Sequence, residues 1–332
     1  MPISGNELIF RRAALASDTT PAQNGGRMTA SAVTSAIKNN LFPDVTQAQR
    51  LAGAEHFRKL FLHVASAIDA PLLDARVFLE DVTPGDDYVL LYAGSHSDTQ
   101  DAVIGRSYGV GRLVGAVAAD AVALVVDFEH AEFASWRPVR AGDSLRVANM
   151  PATGGGGHEV LATVDAVVWA GRQASITLTG ELGQAFDPAA GAVTVASVLA
   201  HASVQAVATV PVATSAAGTV AGVPAGSNRG SILQAWTLTF TSATVFRLDG
   251  DTLGANVATG SIAADFAQAN PAGGTYFSLP ASAWGGAWAA GDTLTFSTTP
   301  AAIPLWLRRV VPAGAGSLAG DGVAVGVQGE SA

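Results

Sequence analysis

The sequence of 332 residues contains no cysteine, which excludes disulfide bridges and thiolate metal sites. Charge is also scarce. Asp, Glu, Lys and Arg make up 14% of the chain, against about 25% in ordinary soluble domains, while 49% is hydrophobic. Only ten charged residues lie beyond residue 201, among them Arg229, Arg247, Asp265, Arg308 and Asp321. A free monomer solvates itself with more charge than this, so much of the surface is expected to be covered by neighbouring subunits; solvation by Thr, Ser and Gly is the alternative.

Lysine is nearly missing too, with Lys38 and Lys59 the only two. With a net charge of −9 there is no clustered cationic surface of the kind that binds phosphate backbones, so specific nucleic-acid binding is not expected. The remaining basic residues are all arginine, which suggests a GC-rich coding bias. The longest stretch without charge, 188–228, is broken by Pro211, Pro224 and many Ser, Thr and Gly residues, so no apolar run of about 20 residues survives to span a membrane. The start, MPISGNELIF, places Glu7 ahead of any apolar stretch and is followed by Arg11 and Arg12, unlike a signal peptide.

What is present is two-faced strand. Ala174, Ile176 and Leu178 alternate with Ser175, Thr177 and Thr179; Trp236, Leu238 and Phe240 alternate with threonines; Leu294 and Phe296 repeat the pattern. The segments NELIFRRA, HFRKLFLHVA, DARVFLEDV and YVLLYAG also read as strands, with a turn at Thr83-Pro84-Gly85-Asp86 and a loop at Asn24-Gly25-Gly26. One short helix, TQAQRLAG, has a cap in Asp44 or Thr46 and a stop at Gly53. The fold expected is mainly β: two β-sandwich-like domains with an extended N-terminal arm and little helix. The arm covers 1–45, where apolar content is too low for a core and the segment is expected to lie across a neighbour. A β-rich domain follows over 46–200 and a β-sandwich over 201–332. TGGGGHEV is a hairpin tip. AGDSLRV at 141–147 and AGDTLTF at 290–296 share a strand-entry turn, and GDTLG recurs at 250–254. Trp236, Trp284, Trp288 and Trp306 are read first as core and second as interface anchors.

Chemical motifs are weak. Gly142-Asp143-Ser144-Leu145 spells the nucleophile block of GDSL-type esterases, and Asp127-Phe128-Glu129-His130 supplies an Asp-x-x-His pair, but in reversed order and about a dozen residues apart. Ser144 is the only nameable nucleophile, and no enzyme activity is expected. Gly109, Gly111 and Gly115 miss the dinucleotide fingerprint by one residue and read as a glycine-rich strand or bulge. His96 and Asp98 fall in a loop, His56 and His63 on opposite strand faces, and Asp81, Asp86 and Asp87 on a solvated hairpin tip. No catalytic, cofactor-binding or metal residue is assigned.

Several blocks carry a resemblance: ISGNELIFRRA at 3–13, NNLFPDVTQAQRLAGAEHFRKLF at 39–61, TPGDDYVLLYAGSHSDTQ at 83–100, PAGGTYFSLPASAWGGAWAAGDTLTF at 271–296, then PLWLRRVVPAG and the ending GESA. In these the chain resembles a family of tailed-phage virion structural proteins of the tail or baseplate. The resemblance is weakest between about 115 and 200 and brings no catalytic residues. It implies a virion component made in the bacterial host cytoplasm, packing with copies of itself in a ring or helical array and with other virion proteins. Two other roles stay open: a host-surface module that recognises a receptor or glycan through Trp284 and Trp288, and a capsid-decoration or head–tail protein.

Overall fold

The computed structural model describes residues 2–150 and 156–331. It is mainly β, with 47% strand, 7% helix and antiparallel sheets throughout, as the two-faced segments predict. The helix Gln47–Ala52 begins at Thr46, which exchanges hydrogen bonds with Gln49 as a capping box, and stops at Gly53 with φ +83°.

A six-stranded sheet forms the middle of the molecule. Its order is Gly25–Ala32, Leu8–Leu15, Ala54–Val64, Ala302–Val311, Tyr88–Ala93 and Ser107–Tyr108. The strand Ala302–Val311, apolar over its first six residues, is buried on both faces. It holds a ten-residue register against Ala54–Val64. One face of the sheet, with Leu62, Val64, Leu91, Ile303 and Leu305, packs on a three-stranded sheet of Leu199–Val204, Leu72–Leu79 and Val325–Ser331. The opposite face, with Leu90, Tyr92, Trp306 and Val310, packs on a barrel.

That barrel closes in the order Glu159–Ala170, Gln173–Leu178, Ala123–Asp127, Val110–Leu113, Thr194–Ser197 and Ser144–Ala148. Leu124, Val126, Leu145, Val147, Val164 and Ile176 are buried with it, so the interior is filled by side chains and is no channel. Gly111 lies on the strand Val110–Leu113, where a Cβ would strike Val126 and the Asp127 carbonyl; the glycine run is a strand, and its first two glycines allow close packing. The barrel hairpin joins Ser144–Ala148 to Glu159–Ala170, and its tip, expected at TGGGGHEV, lies partly outside the described residues.

The chain leaves the first body after Val204 and re-enters at Ala302. Between these points it forms a second sandwich. One layer is Val207–Ala208 and Val212–Thr214 on the edge, then Thr293–Thr299, Gln234–Phe240, Val245–Gly250 and Gly254–Ser261; the other is Ala225–Gly226, Thr275–Leu279 and Phe266–Ala269. Trp236, Phe240, Phe246, Phe277 and Trp288 fill the space between them.

Two expectations change here. The strand Leu8–Leu15 does not lie across a neighbour: it pairs along five residues with Ala54–Val64, and Leu8 and Phe10 pack on the first core. Residues 302–331 do not belong to the last sandwich, because their two strands complete the sheets of the first body. Hydropathy records that a strand is buried and carries no information about its partner, so the insertion was invisible in the sequence.

Candidate assembly surfaces

The esterase spelling dissolves into structure. Ser144 and Asp127 sit on strands three places apart in a six-membered ring, across the barrel from each other. Asp127 is paired with Arg172 at 2.9 Å and accepts the Glu129 amide at 2.8 Å. His130 lies on the Tyr88 ring at 4.3 Å, with burial holding its pKa below the usual value. The block is instead the shared turn. Asp143 accepts the amide of Arg140 at 2.7 Å, and Asp292 that of Ala289 at 2.9 Å, each after a glycine with φ near +90°. The third occurrence differs: Gly250 ends a strand, and Asp251 accepts Ala235 N and pairs with Arg27 at 2.7 Å.

The other candidates serve packing. His96 follows Tyr88–Ala93 in a loop and lies over Phe61, with burial holding its pKa below the usual value. Asp98 accepts Trp306 Nε1 at 2.9 Å and pairs at 2.6 Å with Lys59, whose side chain is 0% exposed. Burial pushes the Asp98 carboxyl up, but the bonds from Lys59 and Trp306 outweigh it and hold it below its ordinary value. Burial likewise lowers the Lys59 ammonium, against the pull of Asp98. His63 receives Arg11 Nε at 2.7 Å on Nδ1 and donates from Nε2 to the Asn228 carbonyl at 2.7 Å. Burial takes its pKa to about 4, so it is neutral. His56, seven residues earlier on the same unbroken strand, faces the other way and meets Gln49 and Arg309.

The Asp81, Asp86 and Asp87 tip is solvated only in part. Asp86 is exposed, while Asp87 lies under the C-terminal segment beside Asp321. Among the described residues no cluster of three His, Asp or Glu is arranged to hold a metal ion, and no helix is long and apolar enough to cross a membrane. An open cleft at one end of the barrel carries Arg112, Arg172, Asp127 and Glu129, but its charges compensate one another: Arg112 reaches Glu129 and Asp81, both at 3.3 Å.

The tryptophans offer little face to a ligand. Trp288 is 4% exposed and stacks on Phe240 at 4.3 Å, and Trp284 meets it edge-on at 5.7 Å. Trp306 fills the first core rather than the last sandwich.

What the surface does offer is uncharged edge. Between 205 and 301 there are six charged residues, each engaged: Arg229 donates to the Ala65 carbonyl, Arg247 pairs with Asp249, Asp251 with Arg27, Asp265 accepts Ala281 N, and Asp292 accepts Ser215 Oγ. The edge at 207–214 exposes Val207, Val210 at 71% and Val212 at 63%. Five residues there span four of Thr293–Thr299, so a bulge at Pro211 interrupts the edge. Barrel residues Leu161 and Val168 are also exposed, on the twelve-residue strand Glu159–Ala170.

Sequence reasoning missed the residues that join the parts. Asn228 bonds Asp69, Ala70, Ala206 and His63, tying the inserted sandwich to the first body. Arg146 holds Glu80 at 2.9 Å and Glu159, tying barrel to sheet. Neither sits in a motif; an arginine inside an apolar alternating strand was the one available signal for the second. Comparison of the chain with family models, curated proteins and solved structures gives no match.

Proposed function

We propose that the protein is a structural component of a tailed-phage virion, placed in the tail or baseplate, and that it acts by packing against copies of itself and other virion proteins. The resemblance of the blocks quoted above supplies the virion context. The observation that carries the assembly reading is the edge at 207–214: three valines in water, within a 41-residue stretch free of Asp, Glu, Lys and Arg, on a unit whose few charges are all engaged. Edges left this neutral are hazards in a free monomer, because charge is the usual guard against unwanted association. The Pro211 bulge breaks the hydrogen-bond ladder, so the valine side chains supply the contact instead of a continuous added strand.

The test is the oligomeric state of the full chain, by light scattering and negative-stain microscopy across a concentration series. Rings, tubes or a discrete large species are expected, and Val210→Glu with Val212→Glu reduces them to monomer with an unchanged circular dichroism spectrum. A wild-type chain that stays monomeric at high concentration and coats no particle refutes the reading.

A further inference from the structure

Residues 312–324 leave the central strand Ala302–Val311 and cross the tip at 83–87 before entering Val325–Ser331. Polar ties hold this strap down. Asp86 accepts the Gly316 amide at 2.7 Å, Asp321 accepts the Gly85 amide at 3.2 Å, and Glu80 N donates to the Ala324 carbonyl at 2.9 Å. Gly85 has no side chain where a Cβ would strike the Asp321 carboxylate, which lets the strap lie this close.

Beneath the strap the side chain of Asp87 is 11% exposed and lies beside the Asp321 carboxylate, with no hydrogen-bond donor on its Oδ1. Two carboxylates are both acceptors, so this pair can be joined by a hydrogen bond only while one of them carries a proton. Without that proton, Asp87 Oδ1 is a buried acceptor with no donor, next to a like charge. The nearest compensating charge is spread thin. Arg309 Nε stands 3.9 Å from Asp87 Oδ2, while the same guanidinium donates to the Pro43 carbonyl and meets His56 Nδ1. Arg309 is further influenced by Arg58 and Asp18, and Asp86 is taken by Gly316. Burial first, then Asp321, pushes the Asp87 carboxyl up to about 7, with Arg309 pulling the other way.

We propose that the strap 312–324 is a pH-set latch, docked while the buried Asp87 carboxyl is protonated and can donate to Asp321, and loosened when Asp87 is charged. Protonation belongs to the docked state, so docking is firmest near the ordinary aspartate value of about 4 and is lost as pH rises through about 7. Val323, at the end of the strap, covers a crevice lined by Val82, Tyr88 and Phe133, and loosening exposes that apolar wall. The latch is a property of one chain and does not depend on the assembly reading.

Hydrogen exchange of the full chain at pH 5 and pH 8, corrected for intrinsic rate, tests it. The amides of 314–324 are expected to lose protection at pH 8 by roughly tenfold or more, each pKa unit of linkage allowing up to tenfold. Asp87→Asn keeps that protection at both pH values; if this variant does not fold, Asp321→Asn serves with the same expectation. A nitroxide on Leu318→Cys, the sole thiol in a cysteine-free chain, gives an independent reading as mobility that rises with pH. Equal protection at both pH values in the wild type, or a pH dependence that persists in both Asn variants, overturns the proposal.

Discussion

The first body and the inserted sandwich are both antiparallel β, yet they are held together differently. In the first body, ionic groups are taken inside: Lys59 with Asp98, Arg146 with Glu80 and Glu159, and Arg106 with the buried Asp143. In the insertion the interior is aromatic, and Trp236, Phe240, Phe246, Phe277 and Trp288 meet ring to ring. A buried charge fixes geometry only while its partner is present, whereas an aromatic core depends on volume. The first body should therefore answer to pH and to loss of single partners, and the insertion to cavities.

Four measurements break or sharpen this contrast. The largest effect is expected from Trp236→Ala, which empties a fully buried site and removes the indole N–H that Thr298 Oγ1 accepts; calorimetry should show a loss of about 3–5 kcal/mol. Lys59→Met leaves Asp98 without its cation in the first core and is expected to cost about 3–5 kcal/mol, with Lys59→Met combined with Asp98→Leu recovering much of it. A recovery absent from denaturant titrations of the double variant would erase the ionic half of the contrast.

The third concerns pH. His63 is neutral in the fold with its pKa depressed to about 4, so its contribution is present above about 6.5 and is lost as pH falls toward 4, about 3 kcal/mol in all. Asp87 works in the opposite sense over nearly the same window, since its pKa is raised to about 7. The two offset each other in the wild type. In an Asp87→Asn background the unfolding midpoint should fall on acidification, and His63→Gln should flatten that fall. The smallest effect is expected at the junction: Asn228→Ala removes two side-chain bonds and is expected to cost about 1–3 kcal/mol, read as a single melting transition that splits in two as the insertion uncouples.

Local structure was legible where side chains alternate or turns have their own chemistry. The strand around Ile176, the Thr46 cap and the paired turns at Asp143 and Asp292 follow from spacing alone. Pairing was not legible. Nothing in PLWLRR distinguishes an edge of the last sandwich from the centre of the first sheet, because a strand buried on both faces looks the same in either place. Closure of the barrel was hidden for the same reason, since it depends on which strands meet. The surface reading rested on charge count, which composition does carry; the location of the exposed valines needed the sheet order. Asp87 was misjudged as solvated because its cover, Asp321, is 234 positions away in the sequence.

The central place of Ala302–Val311 has a consequence for synthesis. Until that segment has emerged from the ribosome, Ala54–Val64 and Tyr88–Ala93 each present an open edge with no strand between them, while the intervening sandwich can already close on its own aromatic core. A nascent chain that has emerged as far as about residue 300 therefore carries one finished unit and one unfinished, adhesive one. Completion of the first body waits for residues 302–331.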